Sequence, residues 1–243
     1  MARLGEPERI HKKFTTRARS IRWRAFVRLA ALLPLSPRLM IVSAVKLRNR
    51  AMDGNEKSER LIEAASAVLN AAPDHRLNAV VLNKALFYLD LASLRDRGET
   101  VTGNTYIALE KGPVVAKYPQ RLIGQLEARG IGKQISEWNG SKPILLESPP
   151  QHFQFLDSDT LILVAAVTGF FARQTSSRAS DYSHDNPGWE LAWNESRRTG
   201  RPTAINLRIA LQQIVEDDPW MDLPLVNDDE LLAAADAGMG TDW

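Results

Sequence analysis

Residues 82–118, LNKALFYLDLASLRDRGETVTGNTYIALEKGPVVAKY, decide the fold. Leu82, Leu86, Leu89 and the Phe87–Tyr88 pair recur at helical spacing, with Lys84, Asp90 and Arg95 on the other side, so the stretch predicts a helix over about Leu77 to Arg97. Lys84 sits among apolar neighbours and reads as a lysine that keeps its head in water while its stem packs. Gly98 follows, where a left-handed residue ends a helix at least steric cost. Thr100-Val101-Thr102 and Thr105-Tyr106-Ile107 flank Gly103-Asn104, two β-favouring triplets about a turn dipeptide, which predicts a tight hairpin. Gly112-Pro113 closes the unit, with Pro113 expected near the first turn of the next helix.

The rest of the chain reads as helices with one further hairpin. Leu61, Ile62, Ala65, Val68 and Leu69 give one apolar face to a helix over 55–72, and Asp74 or Asn78 is placed to cap the next one. A helix is expected from Val115 to Arg129, ended by Gly130 and Gly132. Ile135 to Trp138 and Pro143 to Glu147 flank Asn139-Gly140-Ser141 as a second hairpin. Ser158 to Arg173 is the most apolar segment, and apolar residues on nearly all sides predict the central core helix. Thr175 caps a short helix carrying Ala179, Tyr182 and His184; Trp189 and Trp193 then share a helical face, and a last helix runs from Thr203 through Ile214. The expected class is mainly α (α+β): six or seven helices about the 158–173 helix, with one or two small hairpins on an edge.

The 82–118 motif resembles the SocA-like or Panacea domain, a bacterial and phage family of antitoxins. The matching residues are Lys84, Leu86, Phe87, Tyr88, Asp90, Leu94, Gly98, Thr102, Gly103, Tyr106, Ala108, Gly112, Pro113 and Val114. A second landmark, histidine followed by proline and tryptophan, is similar to His184, Pro187 and Trp189 here. The resemblance spans about residues 60 to 200. It implies a protein-interaction domain without catalysis or cofactor, whose partner is a cognate toxin; a cytoplasmic location is expected separately, from the lack of cysteine and of a membrane-spanning or secretory segment. The toxin would be neutralised by contact, or delivered to a protease such as a Clp-type machine. The expected partner-binding surface comprises Tyr88, Thr102, Tyr106, Gly112, Pro113, His184, Trp189 and Trp193.

Charge divides the chain into three parts. The net charge of +2 conceals a basic start: residues 1–50 hold 13 of 31 Lys+Arg and 2 of 29 Asp+Glu, a net +11, against −9 for the remainder. The organisation expected is therefore a basic extension over 1–51, a domain over 55–215, and an acidic, partly disordered tail over 216–243. In the extension, Arg17, Arg19, Arg22, Arg24 and Arg28 alternate with Trp23 and Phe26, and a helix is expected over Ser20 to Leu33. That pattern suits a nucleic-acid arm, and a transcriptional regulator is the first alternative function. Met52 offers a second start site, with residues 1–51 upstream of it.

Other function classes leave little trace. The only long apolar stretch, Leu29 to Val45, is broken by Pro34, Pro37 and Arg38, so no membrane association is expected. Without cysteine there is no disulfide or thiolate site, and the four histidines have no zinc-like spacing. No phosphate loop, dinucleotide fingerprint or nucleophile elbow occurs. His184-Asp185 is the one pair with a catalytic look, which makes a small hydrolase or nuclease the second alternative. A packing histidine bonded to a backbone carbonyl is the favoured reading of the same residue.

Overall fold

The computed structural model describes residues 52–138, 141–215 and 219–220. The basic extension with its five named arginines, the Asn139-Gly140 turn, and residues 216–218 and 221–243 of the acidic tail lie outside them. The described chain is mainly helical, with two small antiparallel sheets. No helix among the described residues is long and apolar enough to cross a membrane.

The centre is α2, Ala79–Arg97, preceded by α1, Gly54–Ala71. Every residue of α2 from Val81 to Ser93 is buried, including four polar ones. Each of the four has a partner supplied by tertiary structure or by its own helix. Asn83 accepts from Val115 N (2.9 Å) and donates to Ala79 O, and Lys84 Nζ donates to Pro113 O (3.1 Å). Asp90 accepts from Thr102 and Tyr106, and Ser93 donates to Glu99 O. Gly98 takes the left-handed cap (φ 77°) and returns its N–H to Leu94 O.

Four further helices complete the frame around α2. After the wide turn Pro119–Ile123 comes the short α3, Gly124–Ala128; then α4, Ser158–Ala172, α5, Ser176–His184, and α6, Pro187–Thr199. A one-turn α7, Leu207–Ala210, runs into the tight turn Leu211–Ile214. Asp53, Asp157, Thr175 and Asn186 cap α1, α4, α5 and α6 through their side chains, satisfying N–H groups that have no intrahelical acceptor. Asp157 accepts from the Thr160 hydroxyl and N–H and also receives Arg97 from the end of α2; these donors, Thr160 foremost, hold its carboxyl down at about 2. Gly188 lies where a Cβ would strike the Ala210 backbone, so only glycine lets α6 approach α7 this closely.

The sheets are short. β1, Arg76–Asn78, pairs with β5, Pro143–Leu146, which pairs with β4, Gly132–Gln134, giving the order β1-β5-β4. β2, Tyr106–Leu109, pairs with β3, Gly112–Val115, in the register Tyr106↔Val115 to Leu109↔Gly112. The other edge of β2 is closed by Thr203–Ile205: Ala108 N donates to Thr203 O and Ile205 N to Tyr106 O.

Several sequence expectations need correction. The central helix is α2, not 158–173: Ile162 on α4 is 69% exposed, and only one side of α4 faces inward. No hairpin forms at Thr100–Ile107. Thr102 and Asn104 are buried and turn their polar atoms on Asp90 and the Lys57 carbonyl, so the strands begin later and turn at Glu110-Lys111. Pro113 is therefore a strand residue, and Pro119 opens the following turn. The 115–129 helix is reduced to Pro119–Ala128, since Val115 belongs to β3. The second hairpin exists but its ladder starts at Gly132, and β1 adds a third strand. Thr203 to Ile205 is extended because it edges β2, which delays the last helix to Leu207.

The central place of α2 is testable. Phe87 packs edge-on against Tyr88 (5.2 Å) and Tyr106 (5.1 Å). Phe87→Ala is expected to cost about 3–5 kcal/mol in urea unfolding, whereas Ile162→Ala on the outer face of α4 costs about 0.5 kcal/mol or less. The reverse ranking would restore 158–173 as the core helix.

Candidate functional site

Two residues, Glu110 and Lys111, join β2 to β3, and their side chains are exposed. Backbone carbonyls that turn toward packed helices need donors. Here side chains provide them. Trp189 Nε1 donates to Leu109 O (3.1 Å), His184 Nε2 to Glu110 O (3.0 Å), Ser180 Oγ to Lys111 O (3.1 Å) and Lys84 Nζ to Pro113 O (3.1 Å). Since a carbonyl only accepts, the His184 proton sits on Nε2 in this arrangement. Three helices, α2, α5 and α6, thus converge on one turn. Gly112 (φ 98°) lies at the convergence, where a Cβ would collide with Ser183 Oγ and Lys84 Nζ.

Lys84 is the costliest member. Its side chain is fully buried, which corrects the water-facing reading, and burial pulls its amine down to about 7. A cavity of about 230 Å³ lies between α2 and the turn, lined by Asn83, Lys84, Glu110, Lys111 and Tyr118 among others. Behind the turn, aromatic rings form a stack. His184 lies 4.2 Å from Trp189 at 19°, and Trp189 lies 5.9 Å from Trp193 at 11°.

A second buried cluster anchors the loop that leads into β2. Asp90 Oδ1 accepts Thr102 N (2.8 Å), and Oδ2 accepts Thr102 Oγ1 (2.5 Å) and the Tyr106 hydroxyl (2.8 Å). Tyr106 OH also stands 3.0 Å from Leu86 O, and its single proton serves one acceptor at a time. Burial raises the Asp90 carboxyl to about 6, against the opposing pull of the Thr102 and Tyr106 donors. Asn104 extends the cluster, donating to Lys57 O (2.9 Å) and accepting from Arg121 Nη2 (2.8 Å).

The expected surface residues are partly brought together and partly withdrawn. Gly112, Pro113, His184, Trp189 and Trp193 meet at the turn. Tyr88, Thr102 and Tyr106 are fully buried, so their reading as contact groups is corrected: their polar atoms serve internal partners. Tyr88 donates to Gln213 (2.6 Å) and sits among Phe171, Tyr182 and Trp220. Gly112, Pro113 and Trp189 are also buried, while His184 and Trp193 are half-buried. His184 is bonded to the Glu110 carbonyl rather than to Asp185. Among the described residues no group of three or more His, Asp or Glu is placed to hold a metal ion. Sequence reasoning missed Ser180, Glu110 and Lys111, and Arg197 and Arg201 beside Trp193. The four-residue spacing from Trp193 to Arg197 was the available signal for that pair.

Residues 82–190 match the model of the family described as antitoxin SocA-like, Panacea domain. All four donors to the turn and all four of its carbonyls fall within this match. No curated protein and no solved structure matches the chain.

The Asp90 cluster generates a pH prediction. Its folded value of about 6 lies above the ordinary 3.8, so the folded state binds more protons between these values. The contribution of Asp90 to stability is therefore greatest below about pH 4 and is lost as pH rises through 6. Relative to Asp90→Asn, the wild type is expected to gain about 2 kcal/mol between pH 7 and pH 4 in paired denaturant titrations. A difference that is flat with pH would show that the carboxyl titrates normally.

Proposed function

We propose that the chain is an antitoxin-like domain that neutralises a cognate toxin by direct contact, using the surface around the clamped Glu110-Lys111 turn. The observation that carries this reading is the family match over 82–190, which supports an antitoxin role and encloses the whole clamp. The exposed side chains of Glu110 and Lys111 stand on a backbone whose neighbouring carbonyls are held by three helices. A turn fixed before binding loses little conformational freedom on binding, which favours contact by a preformed surface. Commitment of the His184 imidazole to the Glu110 carbonyl and the Trp189 face supports a packing role over a catalytic one.

Delivery of the toxin to a Clp-type protease is the second route, and one experiment separates the two. The open reading frame next to the gene is induced alone and together with the full chain, in hosts with and without the protease. Growth arrest by the neighbour and rescue in both hosts are expected. Rescue confined to the protease-bearing host would assign the adaptor route, and a toxic neighbour not rescued in either host would overturn the antitoxin reading.

A further inference from the structure

α6 and the loop that follows it build a cleft against β2. Its volume is about 290 Å³, with Ala108, Leu109, Trp193 and Pro202 as apolar walls and Arg197 and Arg201 at its sides. Trp193 is stacked on Trp189, which is stacked on His184, so the clamp behind the turn also fixes the indole plane facing the cleft. Arg197 lies one helical turn after Trp193, and Arg201 follows the left-handed Gly200 that ends α6. Neither guanidinium has an acceptor among the described residues, whereas the adjacent Arg198 is paired with Glu195 (2.6 Å) and Arg76, Arg97 and Arg129 are paired likewise. Among the described residues no carboxylate lines the cleft.

We infer that this cleft receives an acidic segment of the partner toxin, with an apolar or aromatic side chain on Trp193 and carboxylates on Arg197 and Arg201. The inference rests on the antitoxin reading and supplies the chemistry of its partner. A guanidinium without an internal carboxylate is free to make the charge-assisted, two-pronged bond for which its fork is shaped. A fixed indole contributes large contact area at small entropic cost, and Trp and Arg dominate the energetics of interfaces. Charge complementarity therefore selects an acidic occupant, and the apolar walls select one that also carries an anchor.

The test uses the full chain, its Arg197→Glu/Arg201→Glu variant, and the purified product of the adjacent open reading frame. Both substitutions are outside the clamp, and thermal unfolding verifies that the variant is folded. Affinity for the toxin is expected to fall at least about tenfold in the variant. The wild-type affinity is expected to weaken with salt more steeply than that of the variant. Replacing the acidic residues of the toxin's contact segment by lysine is expected to restore binding to the variant. Equal affinity of wild type and variant would overturn the cleft assignment while leaving the antitoxin reading in place. Absence of both rescue and binding by the wild type would overturn the two together. A synthetic peptide of residues 221–243 supplies the remaining arm, since that segment is itself acidic and carries Leu231, Leu232 and Trp243. Saturable binding of this peptide, lost in the variant, would reassign the cleft to the chain's own tail and overturn the toxin as its occupant.

Discussion

The structure depends on how the carbonyls of one turn are satisfied. The two-residue connection between β2 and β3 turns the carbonyls of Leu109, Glu110, Lys111 and Pro113 toward side chains of three helices. Side chains meet that demand, and each comes from a helix that packs elsewhere as well. Trp189 illustrates the coupling: its indole N–H bonds the turn while its ring lies between His184 and Trp193. Lys84 is the extreme case, because carrying an amine into the core opposes folding unless the amine loses its proton or gains acceptors. The turn, α2, α5 and α6 are consequently one unit, and disturbance of any donor is felt by the others.

This coupling explains what could be read from the sequence. The boundaries of α2 follow from its apolar period and from Gly98, both local signals, and the caps at Thr175 and Gly98 were legible for the same reason. Its central position was not legible, because Asn83, Lys84, Asp90 and Ser93 interrupt the apolar pattern and their partners lie on other elements. The 158–173 segment, whose only buried polar residues are Thr160 and Thr168, looked more central than it is. The same physics displaced the hairpin. Gly103-Asn104 carries a strong local turn signal, and Gly103 does adopt a positive φ of 64°, but the flanking Thr102 and Asn104 answer to Asp90 and Lys57 instead of a strand partner. At Glu110-Lys111 the local signal is Gly112 alone, one residue late.

For the site, resemblance located residues without revealing their roles. His184 and Trp189 were recognised as landmarks, and Gly112 and Pro113 as a turn; the structure joins them through bonds to the backbone. Tyr88 and Tyr106 looked suited to an interface because each has an apolar body and a polar tip, yet both tips are used internally, on Gln213 and on Asp90. A motif can thus mark the scaffold of a surface, while the groups that face outward, Glu110, Lys111, Arg197 and Arg201, carry no motif of their own. Charge without an internal partner distinguishes the two arginines, and that property emerges only in three dimensions.

The central claim, that the α2 amine is buried against the turn, is tested most directly by titrating Lys84 itself. In ¹⁵N-lysine-labelled protein, Lys84→Arg assigns the Nζ resonance, which is then followed with pH. A midpoint of about 7, set by burial, is expected against the ordinary 10.5. Since the folded value is lowered, the folded state binds fewer protons between 7 and 10.5; the cost of Lys84 to stability is full below pH 7 and disappears as pH rises toward 10.5. A midpoint near 10.5 would mean that the amine reaches water and does not hold the Pro113 carbonyl in the core.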